Sequence, residues 1–150
     1  MKNILVTGGC GFIGSNFVRL VLKEFPASKV VNLDKLTYAG YLANLKDVEG
    51  HSGYTFVHGD ICDVDVVSKV MQQVDRVVHF AAESHVDRSI DEGSVFVRTN
   101  VLGTHTLLES ALEHDIKRFV HVSTDEVYGS INEGSFKETD MLVPSSPYSS

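Results

Sequence analysis

The chain alternates short hydrophobic runs with longer stretches in which hydrophobic residues recur every three or four positions. The short runs are typical of buried strands, and they are Ile4–Val6, Val30–Leu33, Tyr54–Val57, Val77–Phe80 and Phe119–Val122. The helical spacing predicts helices over Phe12–Phe25, Val64–Val74 and Val95–Leu112. Short strands alternating with helices predict an α/β fold, in which a parallel sheet is covered by helices on both faces.

The polar and glycine-rich segments fall just after the predicted strands, where a parallel sheet binds its ligands. The first, Gly8–Gly14, carries Gly8, Gly11 and Gly14 at three-residue spacing. Glycines there permit a tight turn, a close backbone approach to a pyrophosphate, and close packing of the helix on the strand. A glycine-rich turn alone is a weak signal, but a strand before it and a helix after it favour a dinucleotide site.

Asp34 ends the second predicted strand and strengthens that interpretation. A carboxylate at this place accepts hydrogen bonds from the adenosine ribose and repels a 2′-phosphate, which favours NAD over NADP. Lys35 beside it is a counter-argument, because a cation tolerates that phosphate. Asp60, after the third strand, has two interpretations, a partner of the adenine amino group or an Asx turn.

Ala81–Ser89 follows the fourth strand, where two alanines let a cofactor lie against the backbone and Arg88 could reach a phosphate or sugar. The alternative is a solvated loop followed by a helix cap. Ser123–Gly129 follows the fifth strand and contains Thr124, Asp125 and Glu126. Two carboxyl groups in one crevice can divide the roles of general acid and general base, although acids at a helix start are also common.

Composition limits the classes of protein to which the chain can belong. A length of 150 residues with 43% hydrophobic residues suits one globular domain. A net charge of −7 argues against a nucleic-acid partner, and no run is long or apolar enough for a membrane span or signal peptide. Cys10 and Cys62 match no metal spacing, so free thiols in a cytoplasmic protein are expected and no metal is.

With these motifs in place, the chain resembles the extended short-chain dehydrogenase/reductases, within them the NAD-dependent epimerase/dehydratase family. The resemblance covers all 150 residues. It rests on six segments, Thr7–Gly14, Asp34–Gly40, Gly59–Ile61, Ala81–Ser89, Ser123–Gly129 and Pro147–Ser149. The segment Asp34–Gly40 and the triplet Thr124–Glu126 are the most specific, and they favour a dehydratase acting on dTDP-glucose.

The resemblance implies a Rossmann-type doubly wound sheet and a set of residues that bind NAD. The implied NAD-contacting residues are Gly8, Gly11, Phe12, Ile13, Gly14, Asp34, Lys35, Leu36, Thr37, Asp60, Ile61, Ala81, Ala82 and Thr99. Ser84 and Thr124 are the implied sugar-contacting residues.

The resemblance also implies catalytic roles. Tyr148, helped by Thr124, would take the proton of the sugar 4-hydroxyl while hydride passes from C4 to NAD. Glu126 would then remove the C5 proton, and Asp125 would protonate the departing C6 hydroxyl. Hydride returns to C6, so the products are dTDP-4-keto-6-deoxyglucose and water.

Chains of the resembled family are longer than this one. We therefore expect residues 1–150 to be an incomplete NAD-binding domain, without the substrate domain and without a lysine one helical turn after Tyr148, and inactive alone. The full-length form is expected to be a homodimer that uses the helix Val95–Leu112. The alternatives are another nucleotide-sugar 4,6-dehydratase, a 4-epimerase, and an NAD-binding module without catalysis.

Overall fold

The structure, a computed structural model that describes residues 2–150, contains a five-stranded sheet with the order β3-β2-β1-β4-β5. The strands are β1 Asn3–Thr7, β2 Lys29–Asp34, β3 Tyr54–His58, β4 Arg76–His79 and β5 Arg118–His121. Neighbouring strands are parallel throughout. The order runs outward in both directions from β1, so the switch point of the topology lies between β1 and β4.

Helices cover both faces of the sheet, as the alternation of strands and helices predicts. They are α1 Phe12–Glu24, α2 Val64–Met71, α3 Val86–Asp91, α4 Gly93–Phe96 and α5 Thr104–Glu113. A π-helical segment, Val97–Gly103, joins α4 to α5, and 3₁₀ turns lie at Leu42–Leu45 and Asp125–Tyr128. This architecture is a Rossmann-type doubly wound sheet.

Side-chain alternation along β1 divides the core between the two faces. Ile4 and Val6 belong to one hydrophobic cluster with Val18 and Leu22 of α1. Leu5 belongs to a second cluster with residues of α2 and α5, among them Val67 and Leu107. A central strand buried on both faces explains why its sequence is a short continuous hydrophobic run rather than an alternating one.

The bounds of some predicted elements differ from those in the structure. The helix predicted to end at Val74 ends at Met71. The segment Ala81–Ser89, for which a loop followed by a helix cap was the alternative to a ligand-contacting segment, enters α3 at Val86. The helix predicted over Val95–Leu112 begins at Gly93 and passes through the π-helical segment. Hydrophobic spacing detects such a helix but does not register the wider turn inside it.

One edge of the sheet and one helical face carry exposed hydrophobic side chains. β5 is an edge strand, and Val120 and Val122 are partly exposed. A hydrophobic stripe on the π-helical segment and α5 is exposed, and its residues are Val97, Val101, Leu108 and Leu112. Within residues 2–150, no helix has both the length and the hydrophobicity needed to span a bilayer.

Candidate functional site

A cavity of about 760 Å³ opens at the carboxyl ends of the strands. Its wall includes residues at or just beyond the end of each strand, namely Gly8, Asp34, Asp60, Ala81 and Ser123. The π-helical segment adds Val97, Thr99 and Asn100. The cavity therefore occupies the place at which parallel α/β sheets bind their ligands.

The glycine loop can hold its shape only without side chains at two positions. Gly8 has a φ of +70°, and a Cβ there would lie 2.7 Å from the backbone nitrogen of Ala81. A Cβ on Gly14 would collide with the carbonyl oxygen of Gly8. Gly11 precedes α1 without a side-chain cap, and the first turn carries no acid. The N–H groups of that turn are thus available to an anion in the cavity.

Asp34 is buried and joins two segments of the cavity wall. Its Oδ2 accepts a hydrogen bond from the backbone N–H of Cys10 at 2.8 Å, and its Oδ1 accepts one from Leu36 at 2.8 Å. Leu36 has a φ of +56° and does not line the cavity, so its contribution is this backbone bond. Each carboxylate oxygen retains a second lone pair, which can accept a ribose hydroxyl.

Lys35 is already paired, with its Nζ 2.8 Å from Oδ2 of Asp60. Asp60 also accepts the backbone N–H of Cys62 at 2.9 Å, so it forms the Asx turn and lines the cavity at once. Burial acts to raise the pKa of Asp60, but the hydrogen bonds from Lys35 and from the Cys62 N–H outweigh it and lower that pKa. A paired Lys35 is less able to accept a 2′-phosphate, which weakens the argument for NADP.

The segment after β4 is fixed by a residue that sequence reasoning did not single out. The side-chain amide of Asn100 accepts the backbone N–H of Glu83 at 2.8 Å and donates to the Glu83 carbonyl at 2.9 Å. Ala81, Ala82 and Ser84 line the cavity beside Glu83. Asn100 lies on the π-helical segment, and periodicity gives no signal for a contact of this kind.

A buried polar chain connects β1, β4 and α5 near the cavity. His79 Nδ1 lies 2.6 Å from Thr7 Oγ1, and His79 Nε2 lies 3.0 Å from Thr104 Oγ1. Thr7 Oγ1 also accepts the N–H of Ala81 at 3.3 Å. Burial first, and the neighbouring His121 second, lower the pKa of His79 to about 4. A neutral imidazole, with one donor and one acceptor nitrogen, suits a place between two hydroxyl groups.

Thr124 and Tyr148 line the same cavity, whereas Asp125 and Glu126 do not. The Thr124 hydroxyl oxygen accepts the N–H of Glu126 at 3.2 Å and so caps the 3₁₀ turn Asp125–Tyr128. Asp125 is exposed and Glu126 is half-buried. The two acids occupy the first turn of a helix, the alternative interpretation of this pair, and lie beside the cavity rather than in its wall.

Tyr148 reaches the cavity from the C-terminal segment, which has no helix or strand after Tyr128. Its ring packs edge-to-face on Phe96 with 6.4 Å between centroids. The loop is tied back to the 3₁₀ turn by a hydrogen bond from the Val143 N–H to the Val127 carbonyl. Tyr148 and Thr124 therefore line the same cavity, although they are 24 positions apart in the sequence.

Most of the residues singled out in the sequence are brought together by this cavity. Those that line it are Gly8, Gly11, Phe12, Ile13, Gly14, Asp34, Lys35, Thr37, Asp60, Ile61, Ala81, Ala82, Ser84, Thr99, Thr124 and Tyr148. Arg88 does not line it. Within residues 2–150, no three His, Cys, Asp or Glu side chains are grouped in a way that suits a metal ion.

Comparisons with known proteins point to nucleotide-sugar enzymes. A family model described as GDP-mannose 4,6 dehydratase matches residues 5–150. A dTDP-glucose 4,6-dehydratase of Streptomyces niveus is 55% identical over 149 residues, which cover 97% of this chain and 44% of the relative. The Agl12 low-salt glycan biosynthesis protein of Haloferax volcanii is 55% identical over 147 residues, 98% of this chain and 47% of that protein.

Solved structures give the same result. The dTDP-glucose 4,6-dehydratase of Streptomyces venezuelae, crystallised with NAD, superposes with a TM-score of 0.94 at 55% identity, over 98% of this chain and 47% of that one. A UDP-Glc/GlcNAc 4-epimerase of Campylobacter jejuni superposes with a TM-score of 0.91 at 29% identity, over 99% and 45%. The chain thus spans a little under half the length of the relatives it matches.

Proposed function

The chain belongs to the family described as GDP-mannose 4,6 dehydratase, and from that premise we propose that it is the NAD-binding part of a dTDP-glucose 4,6-dehydratase. The proposed reaction converts dTDP-glucose to dTDP-4-keto-6-deoxyglucose and water. The observation that carries the proposal is a single cavity with the glycine loop and Asp34 in one part of its wall and Thr124 and Tyr148 in another.

The residues present fit NAD on structural grounds. The uncapped first turn of α1 and the glycines at positions 8, 11 and 14 leave room and N–H groups for a pyrophosphate. The free lone pairs of Asp34 suit ribose hydroxyls, and Lys35, the cation next to Asp34 in the chain, is already paired with Asp60. When bound, NAD supplies the hydride acceptor for C4 of the sugar and the hydride donor for C6.

The chain's own residues then move the protons. Tyr148 takes the proton of the sugar 4-hydroxyl, and Thr124 holds that hydroxyl group in place. The oxygen of Thr124 already accepts the Glu126 N–H, so its O–H hydrogen is free to donate to the sugar. A 4-ketone acidifies the C5 proton, which Glu126 removes while Asp125 donates a proton to the C6 oxygen and water leaves. When hydride is added at C6, C5 takes a proton back from Glu126. The hydrogen bond from the Glu126 N–H to the Thr124 hydroxyl keeps Glu126 beside the part of the wall that Thr124 forms.

Cofactor binding is tested by titration calorimetry of the chain with NAD and with NADP. We expect NAD to bind and NADP to bind roughly tenfold more weakly or worse, corresponding to about 1.4 kcal/mol or more of repulsion at Asp34. Equal affinity for the two cofactors would contradict the role given to Asp34.

The reaction is tested by mass spectrometry of dTDP-glucose after incubation with NAD and the natural protein that contains this chain. Loss of one water supports the dehydratase. A product of unchanged mass but altered chromatography identifies a 4-epimerase, the second candidate, which the likeness to epimerase structures favours. Unchanged sugar in the presence of bound NAD overturns both.

Glu126→Gln tests the assignment of the base. We expect this variant to bind NAD as the wild type does but to lose exchange of the C5 hydrogen with deuterated solvent. Glu133→Gln is the matched control, because Glu133 is an exposed acid outside the cavity wall. Exchange that persists in the Glu126 variant removes Glu126 from the mechanism.

The hydrophobic stripe of Val97, Val101, Leu108 and Leu112 supports a homodimer, with a second copy of the chain as its occupant. Residues at this spacing lie on one side of a helix, and their side chains are 43% to 61% exposed except for Leu112, at 77%. Leu112→Glu is expected to shift the molar mass measured by light scattering to that of a monomer. A molar mass of one copy, measured for the wild-type natural protein that contains this chain, would count against the dimer.

A cytoplasmic location and the absence of a nucleic-acid partner belong to the same proposal. Both cysteines are free thiols, which suits a reducing compartment. A net charge of −7 disfavours binding to a phosphate backbone.

A further inference from the structure

Arg88 connects two segments of the cavity wall that are distant in sequence. Its guanidinium carbon lies 4.9 Å from the ring centroid of Tyr38, which belongs to the loop after β2. Its Nη1 lies 3.8 Å from Oε2 of Glu83, in the segment after β4. Its Nη2 donates to Oε2 of Glu92, one turn further along, at 3.0 Å.

Glu83 is a fixed anchor for this cation. Its side chain is only 9% exposed, and its Oε2 accepts no hydrogen bond within residues 2–150. Its backbone is held at both the N–H and the carbonyl by Asn100. A buried carboxylate with no donor attracts the nearest cation strongly, because the medium around it screens poorly. Arg88 is that cation, and its other nitrogen donates to Glu92, so Glu83 and Glu92 together hold it over Tyr38.

The loop that carries Tyr38 forms the opposite part of the wall. Lys35, Thr37, Ala39 and Gly40 of this loop line the cavity on either side of Tyr38. The loop is tied to the glycine loop by the Tyr41 N–H, which donates to the Cys10 carbonyl at 3.1 Å. Tyr38 meets α3 through the face of its ring, over which the guanidinium of Arg88 lies.

We infer that Arg88 and Tyr38 form a clasp, with Glu83 as its anchor, that holds the loop after β2 against α3 and slows the release of NAD. The clasp is a positioning device and touches no reacting atom. Slow release matters in the proposed reaction, because the hydride taken from the sugar must return to the same sugar. If the cofactor left between the two steps, the oxidised sugar could not be reduced. The inference rests on the NAD binding proposed above.

The clasp is tested by the rate at which bound fluorescent etheno-NAD leaves the chain when chased with excess NAD. We expect Arg88→Ala and Tyr38→Ala each to speed release roughly two- to fivefold, the range for a cation over an exposed aromatic ring. The double variant should be no faster than the faster single variant, because either change breaks the same contact. Tyr38→Phe keeps the ring face and should release at the wild-type rate.

Tyr41→Ala is the matched control and should release at the wild-type rate. Tyr41 is an exposed tyrosine of the same region that does not line the cavity, and alanine keeps its backbone N–H bond to Cys10. Removing Arg88 also leaves Glu83 without its cation, so Tyr38→Ala, which keeps the Arg88–Glu83 pair, separates the clasp from general destabilisation. Release at the wild-type rate from Tyr38→Ala, or fully multiplied effects in the double variant, overturns the clasp while leaving the proposed function intact. A wild-type chain that binds no NAD overturns the proposed function and the clasp together.

Discussion

Gly14 lies where the glycine loop and α1 approach each other most closely. Gly14→Ala places a methyl group against the Gly8 carbonyl oxygen, a backbone atom that cannot move aside cheaply. We expect a loss of about 1–3 kcal/mol in the free energy of unfolding, together with loss of NAD binding. Urea titration and calorimetry measure the two effects.

Gly50→Ala is the control for that change, because a Cβ at Gly50 meets nothing within 4 Å. It should leave unfolding and NAD binding unchanged. A Gly14 variant as stable as the Gly50 variant would show that the loop can open at little cost.

His79 gives the fold a dependence on pH. Its pKa is lowered from 6.5 to about 4 in the folded chain, so below pH 6.5 the unfolded chain binds the proton more readily than the folded one. The contribution of His79 to the free energy of unfolding is fully present above pH 6.5 and falls by about 3 kcal/mol as the pH drops to 4. His79→Gln keeps a hydrogen-bonding side chain between the two threonines but has no such titration.

Denaturant unfolding of both proteins at pH 7.5 and pH 4.5 measures the difference. The wild type should lose more stability than the Gln variant between the two pH values. Equal losses would assign acid unfolding to the carboxylates instead.

At the scale of elements, the π-helical segment holds the segment after β4 in place. It carries Asn100, whose amide satisfies both backbone groups of Glu83. Asn100→Asp replaces the donating nitrogen by an oxygen and leaves the Glu83 carbonyl facing an acceptor. The expected loss of unfolding free energy is about 1–3 kcal/mol.

Asn16→Asp is a fair comparison for Asn100→Asp, since the Asn16 amide also donates to a carbonyl, that of Phe12, but in solvent. That change should cost within about 0.5 kcal/mol. Thermal unfolding of the two variants decides whether the contact with Glu83 matters.

The strands and α1 were predictable because a doubly buried sheet needs short hydrophobic runs and an amphipathic helix needs its periodic stripe. The segment Val97–Gly103 was predicted as ordinary helix, because hydrophobic residues on a π turn still fall on one side. The contact of Asn100 with Glu83 joins side chain to backbone across 17 residues, and no local pattern encodes it.

The candidate site shows the same division. Gly8, Asp34 and Ala81 line the cavity as the strand-end rule predicts, because their place follows from topology alone. The orientation of Asp125 and Glu126 depends on a 3₁₀ turn capped by Thr124, which adjacency in sequence did not reveal. The roles given to these two acids remain predictions.

At the scale of the whole molecule, the cavity draws its wall from the end of each strand. A ligand bound there contacts both halves of the sheet, so it stabilises the folded chain as a unit. NAD at about 100 times its dissociation constant should raise the free energy of unfolding by about 2.7 kcal/mol.

A thermal shift assay with NAD and with NADP at equal concentration measures this stabilisation. The melting temperature should rise more with NAD. A larger rise with NADP would reverse the cofactor preference.

The central position of β1 in the sheet has a consequence for folding during synthesis on the ribosome. The first strand to leave the exit tunnel pairs with β2 on one edge, but its other edge waits for β4, in which Arg76 pairs with Ile4. When only β1 to β3 have left the ribosome, these three strands can pair. The unpaired edge of β1 and the hydrophobic face that α5 later covers are then exposed. Pauses in translation between β3 and β4 would prolong that exposure. A chaperone that binds nascent chains would therefore have its largest exposed surface while this part of the chain is being synthesised.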